Sequence, residues 1–185
     1  VLTKSNLVLR DLDLLQSINK KTKAVVQMTL TTYDEDLCRK LEPNVSTTRE
    51  RFEVLMRCKE LGIPTLVWMT PILPFINDTR ENIEGLLDYC LQAGVQGILV
   101  FDVGVTLREG DREYFYHALD RDFPGIRQKY ISTYGNAYDI PSPYAKELMA
   151  LIQNTCTANG MLCSPKECFT YLHEFPERYV QQTLF

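Results

Sequence analysis

Four short apolar runs in this chain end in polar residues: Val1-Leu2-Thr3-Lys4-Ser5, Val26-Gln27-Met28-Thr29-Leu30-Thr31-Thr32, Val67-Trp68-Met69-Thr70-Pro71 and Val100-Phe101-Asp102-Val103-Gly104. Hydroxyls, an ammonium and a carboxylate recur at these ends. Parallel strands deliver their C-terminal ends to one face, so such groups would converge on a single site. Lys4 stands just past an apolar start, where an ammonium pairs with a carboxylate or phosphate, and no acidic residue precedes it. Thr29, Thr31 and Thr32 include residues of both strand faces, so only some can face a site, and threonine is also a good strand former. Asp102 follows the apolar stretch 98–101, a costly place for a carboxylate unless it is paired, hydrated or used. Glu42 precedes Pro43, which favours extended backbone and aims its carboxylate out of a loop, with backbone amides as the alternative partners.

The elements that must position these groups alternate in type up to about Arg121, the arrangement that builds parallel sheets through right-handed crossovers. The pattern predicts strands at 1–4, 24–30, 63–69 and 97–101. A weak helix is expected over 9–18, with Leu12, Leu15 and Ile18 on one face, and another near 34–40. Thr47-x-x-Glu50 is a capping box, followed by the apolar stripe Phe52, Leu55, Cys58 and Leu61 and by Gly62 as a left-handed cap. Asn77-Asp78-Thr79 with Glu81 opens a helix whose inner face is Ile83, Leu86, Leu87, Cys90 and Leu91, closed by Gly94. A glycine-containing loop over 104–110 precedes a helix carrying Tyr114, Phe115, Ala118 and Leu119. The stretch 123–143, rich in Tyr, Gly and Pro, reads as irregular. Ser142 then serves as N-cap with Pro143 at the first helical position, Leu148, Leu151, Ile152, Thr155 and Cys156 form a face, and Ser164-Pro165 starts the last helix. The fold class is α/β: about four βα units with parallel strands, plus C-terminal helices, in one domain over 1–175 with a loosely tied tail over 176–185.

Four units cannot close an eight-stranded barrel, so the chain is an open sheet or part of a larger barrel. It opens at Val1, inside an apolar strand and without an initiator Met, which favours the C-terminal part of a longer protein. A net charge of -4 argues against a generally basic nucleic-acid binder, although Arg108, Arg112, Arg121, Arg127 and Lys129 could form a local groove. No apolar run reaches the roughly 18 residues of a membrane helix, so the expected location is cytoplasmic. The six cysteines read as reduced core thiols; Cys156, Cys163, Cys168 and His173 are zinc-ligand types without CxxC spacing. His117 and His173 lie in helical patterns and carry no assigned role. Dinucleotide, Walker, HExxH and GxSxG motifs are absent from the sequence, and no cysteine sits beside a histidine at a strand end.

The runs Thr3-Lys4-Ser5, Leu9-Arg10-Asp11-Leu12-Asp13-Leu14-Leu15, Met28-Thr29-Leu30-Thr31-Thr32 and Leu41-Glu42-Pro43-Asn44 resemble the radical S-adenosylmethionine proteins of the spore photoproduct lyase-like group. The likeness continues through Pro71-Ile72-Leu73-Pro74-Phe75-Ile76-Asn77-Asp78, Val105-Thr106-Leu107-Arg108-Glu109-Gly110 and Tyr114-Phe115-Tyr116. The resemblance implies a partial (βα)6 barrel whose CxxxCxxC loop holds a 4Fe-4S cluster that binds S-adenosylmethionine and cleaves it reductively to a hydrogen-abstracting radical. This sequence contains no CxxxCxxC, and its first strand corresponds to the third of that barrel. Carried over by motif, Lys4 approaches the carboxylate of S-adenosylmethionine and Thr29 its ribose or amino-acid part. Thr70 and Pro71 lie near the adenine, Glu42 braces a loop, and Asp102, Arg108 and Tyr114 face a DNA or nucleobase substrate.

The resemblance therefore implies a DNA-repair or modification lyase of which this chain alone is inactive. Gln181-Gln182-Thr183-Leu184-Phe185 further resembles the peptide that bacterial DNA sliding clamps bind, with Gln181, Leu184 and Phe185 as anchors. Two alternatives stand beside this reading. One is a cofactor-free α/β-barrel lyase or aldolase with Lys4 as Schiff-base amine; the other is a non-catalytic module that displays the clamp-binding tail.

Overall fold

A computed structural model describes residues 1–175. Four strands, β1 (Leu2–Thr3), β2 (Val26–Thr29), β3 (Thr65–Trp68) and β4 (Gly97–Leu99), lie in sequential order in one parallel sheet. Thr3, Met28, Val67 and Ile98 share a row, as do Thr29, Trp68 and Leu99. Met28, Val67 and Ile98 belong to the main core, whereas Leu66 and Leu99 pack on the opposite face with Cys168. Burial on both faces explains the consecutive apolar residues of β3 and β4, whereas β2 alternates Val26-Gln27-Met28-Thr29 and Leu2 of the edge strand β1 is exposed.

The crossovers are α1 (Leu12–Lys21), α2 (Glu35–Leu41) with α3 (Thr48–Glu60), and α4 (Arg80–Ala93). Thr47 and Glu50 form the expected capping box at the start of α3, and Thr79 Oγ1 accepts from the Asn82 amide at the start of α4. Gly62 and Gly94 adopt φ of 67° and 62°, the left-handed geometry expected after these helices. The first helix differs from expectation. Asn6–Asp11 is a 3-10 segment and α1 begins only at Leu12, leaving Ile18 largely exposed while Leu12 and Leu15 are buried.

The stretches 104–110 and 123–143, on either side of the expected helix, are more ordered than their composition suggests. Gly104–Thr106 is a strand, β5, rather than a loop, followed by α5 (Asp111–Asp122), α6 (Ile126–Tyr134) and the antiparallel partner strand β6 (Asp139–Pro141). A Cβ at Gly104 would sit 2.5 Å from the Ile140 carbonyl, so glycine is what allows the two strands to pair. Leu107, Tyr116, Leu119, Tyr130 and Ile140 form a separate small core, joined to the main body where Phe75 and Ile76 pack on it and Tyr130 Oη donates to the Pro74 carbonyl.

Ser142 is not the N-cap of the next helix, because α7 begins at Ala145 (Ala145–Ala158). Its hydroxyl instead donates to buried Asp78 and accepts from the Tyr144 amide, fastening the chain to the start of α4. Residues 161–163 then run along β4, with Ile98 N donating to Leu162 O, and α8 (Pro165–His173) starts at the predicted Ser164-Pro165 with a capping box to Glu167. Among the described residues no helix is long and apolar enough to cross a membrane. The tail 176–185, with its clamp-like Gln181, Leu184 and Phe185, lies outside the described residues.

Gly85, midway along α4, faces the ring of Tyr33: a Cβ there would lie 2.4 Å from Tyr33 Cγ. Alanine in a helix interior normally stabilises by about 1 kcal/mol over glycine, but overpacking costs about 1–3 kcal/mol and should win here. Gly85→Ala is expected to lower the urea midpoint, and Tyr33→Ala in the same chain to return most of the loss. A raised midpoint in the single variant would show that Tyr33 moves aside freely.

Candidate functional site

Lys4, at the end of β1, does have an acidic partner, but one that follows it in the chain: its ammonium contacts Glu42 Oε1. The Glu42 carboxylate therefore points inward rather than out of its loop, and it is held by cations rather than by backbone amides. Its other oxygen, Oε2, lies 2.8 Å from Nη2 of Arg51. Arg51 stands in the first turn of α3 with a side chain 0% exposed; Glu42 is 16% and Lys4 41% exposed at the side chain. Arg51 Nε donates to the Ser46 carbonyl at 2.7 Å and Nη1 to the Thr29 carbonyl at 3.0 Å. The Arg51 Nη2 and Glu42 Oε2 atoms are buried and off the hydrogen-bond direction, so their contact is an ion pair only.

Burial pushes the Glu42 carboxyl up, but the Lys4 hydrogen bond and the charges of Arg51 and Lys4 outweigh it and hold the group below its ordinary range. Arg51 was not legible as a site residue, although a signal existed: positions 51, 55 and 58 share one helical face, and the other two are core residues.

The loop after β2 is held by two buried amides. Asn77 and Asn82 Nδ2 both donate to the Thr31 carbonyl, and Asn77 also donates to Thr32 Oγ1. Thr48 Oγ1 donates to the Thr32 carbonyl. Thr29, Thr31 and Thr32 are all buried. Their polar groups mostly organise the strand end, and the Thr29 carbonyl is committed to Arg51.

A cavity of about 670 Å³ lies beyond the ends of β3 and β4, lined in part by Thr70, Pro71, Phe101, Asp102, Thr106 and Asp139. It brings together three of the sequence-derived residues: Thr70 and Pro71, joined by a cis peptide bond, and Asp102. Phe101 is 57% exposed, and the exposed Asp102 carboxylate accepts from the Val103 amide through Oδ1, which removes the burial cost anticipated for it. Lys4 and Thr29 do not line this cavity. Arg108 pairs with Tyr138 and holds that phenol below its ordinary range through the hydrogen bond and its charge. Tyr114, on α5, is 79% exposed and lines no cavity described above.

A second cavity, of about 410 Å³, is lined by Phe75, Asp78, Arg80, Lys129, Tyr144 and Leu148, among others. Burial raises the Asp78 carboxyl, while hydrogen bonds from Ser142 and the Phe75 and Asp78 amides, and the charge of Lys129, oppose that rise. Of the basic residues proposed as a groove, Arg121 and Arg127 are paired with Asp122 and Asp120, and Arg112 is bonded to carbonyls of residues 107, 136 and 137. All six cysteines are free, and burial pushes Cys58 to about 11 and Cys90 to about 12. Among the described residues no three or more His, Cys, Asp or Glu side chains are grouped to hold a metal ion, Cys156, Cys163, Cys168 and His173 included.

The fold and these strand ends define an α/β protein with a polar face at the C-terminal edge of a parallel sheet. No protein-family model matches the chain. An uncharacterized protein of Mycobacterium tuberculosis is 29% identical over 148 residues, 80% of this chain and 43% of that protein. An uncharacterized protein of the Acidianus two-tailed virus is 31% identical over 99 residues, 52% of this chain and 32% of its own. One of Methanocaldococcus jannaschii is 33% identical over 80 residues, 43% of this chain and 30% of its own. The chain thus spans less than half the length of these curated relatives.

Because the Glu42 carboxyl is held below its ordinary value of 4.5, its contribution to stability is complete above that pH and is lost as pH falls through the lower folded-state value. Glu42→Gln leaves Arg51 buried without its counter-charge and should cost about 3 kcal/mol at pH 7. The gap between variant and parent should close in strong acid. Chemical denaturation at both pH values checks this, and a gap that does not change with pH would assign the loss to packing.

Proposed function

We propose that this chain is the C-terminal part of a radical S-adenosylmethionine enzyme of the spore photoproduct lyase-like group, acting on DNA or another nucleobase-bearing substrate. In this reading its parallel sheet is one side of a partial (βα) barrel. The single observation that carries the proposal is the Lys4 ammonium, fixed by Glu42 at the polar end of the sheet within the motif Thr3-Lys4-Ser5. Its partly exposed side chain leaves donors free for a carboxylate, the role the family likeness implies. The cavity of about 670 Å³ has the volume of a small-molecule site.

The chain's residues do not fit the 4Fe-4S cluster: the sequence has no CxxxCxxC, and the described side chains form no metal-holding group. In this reading S-adenosylmethionine would supply the hydrogen-abstracting chemistry when bound. Lys4 would hold its carboxylate, and Thr70 and Pro71 would border its adenine. Thr29 would contribute chiefly by shaping the strand end, since its side chain is buried. Phe101 and Asp102 offer an exposed ring and a carboxylate to a substrate base, while Arg108 is paired with Tyr138. Pairing of the ammonium with Glu42 favours anion binding over the Schiff-base role, which requires a neutral amine.

The test is anaerobic reconstitution of the full-length protein with iron and sulfide. Cluster absorbance and release of 5′-deoxyadenosine from S-adenosylmethionine are expected, and their joint absence would defeat the proposal. In the reconstituted protein Lys4→Met should weaken S-adenosylmethionine binding by about tenfold, the loss of one charge-assisted contact.

A further inference from the structure

Arg51 has no route to solvent, and its three nitrogens face three different groups: Nε donates to the Ser46 carbonyl, Nη1 donates to the Thr29 carbonyl at the end of β2, and Nη2 forms an ion pair with Glu42 Oε2. A guanidinium is a costly group to enclose. A buried ion pair is often replaced by apolar side chains of equal volume without loss of stability, so packing alone does not account for arginine here. What arginine does that methionine cannot is fix one oxygen of Glu42 from behind while the other faces Lys4 Nζ. The planar fork joins strand end, loop and carboxylate in one geometry.

We propose that Arg51 is a positioning residue that, by holding Glu42, sets where the Lys4 ammonium stands and so creates an anion-binding point at the end of β1. The ligand class is a carboxylate-bearing small molecule. The inference rests on reading Lys4 as an anion anchor, as proposed above, but the placement of Lys4 is measurable without any ligand. Arg51 itself touches no ligand in this scheme, since its side chain is fully enclosed.

The experiment uses the full-length protein and follows acylation of individual lysines by mass spectrometry, with exposed Lys146 and Lys166 as internal references. Arg51→Met and Glu42→Gln should each raise the Lys4 rate about fivefold relative to the references, the scale of one partly exposed ion pair. A rise for Glu42→Gln without one for Arg51→Met would overturn the proposal, as would an equal rise at every lysine, which marks general loosening. If Arg51→Met does not fold, Arg51→Lys keeps the charge without the fork and carries the same comparison; a Lys4 rate equal to that of the parent would then count against positioning. A binding arm separates this inference from the cofactor reading. Arg51→Met should weaken S-adenosylmethionine about tenfold and leave 5′-methylthioadenosine, which lacks the carboxylate, unchanged. A parent protein that binds neither compound fails the cofactor reading, while the acylation rates still judge Arg51.

Discussion

A positive charge shut away from water must be answered where it stands, and Arg51 imposes that demand on everything around it. Its nitrogens meet the end of β2 at Thr29, 22 positions earlier, and, nearer in sequence, the loop at Ser46 and the α2 terminus at Glu42. Glu42 in turn reaches Lys4 at the end of β1. Electrostatics thus tie the first two strand ends together, in addition to the backbone ladder that pairs β1 with β2. Salt will screen the outer Lys4 contact far more than the inner one, because only the outer partner is open to solvent.

The amide network after β2 does for the next pair of elements what Arg51 does for the first. Asn77 and Asn82 hold the Thr31–Thr32 backbone against the start of α4, and Asp78 holds Ser142 at the entrance to α7. The polar face of the sheet is therefore built mainly from backbone groups that side chains have fixed in place. That is why Thr29, Thr31 and Thr32, which look like site residues in a list of strand ends, prove largely buried.

Local chemistry made much of the fold legible. Thr47-x-x-Glu50, Thr79, Ser164-Pro165, Gly62 and Gly94 each act through groups within a few residues, and each marks its helix end as expected. The helix carrying Tyr114, Phe115, Ala118 and Leu119 is legible and stands as α5, but β5 and β6 on either side of it are opaque, because they are three residues each and pair across more than thirty positions, which leaves no periodicity to read. Ser142 was misread for a related reason: a Ser-Pro pair signals a helix start, but here the hydroxyl serves Asp78, 64 positions earlier. Lys4 and Glu42 were found as individuals while their pairing was not. The residue that explains both, Arg51, was hidden by its charge in a position whose phase belongs to the core.

The thiols carry one more consequence. Cys38, Cys58, Cys90, Cys156 and Cys168 are buried, and they are distributed over α2, α3, α4, α7 and α8. Enclosed thiols react with alkylating reagents only when the surrounding helix lifts away. The chain therefore contains its own set of opening clocks, one for each of five helices, able to time which part of the sheet's covering leaves first.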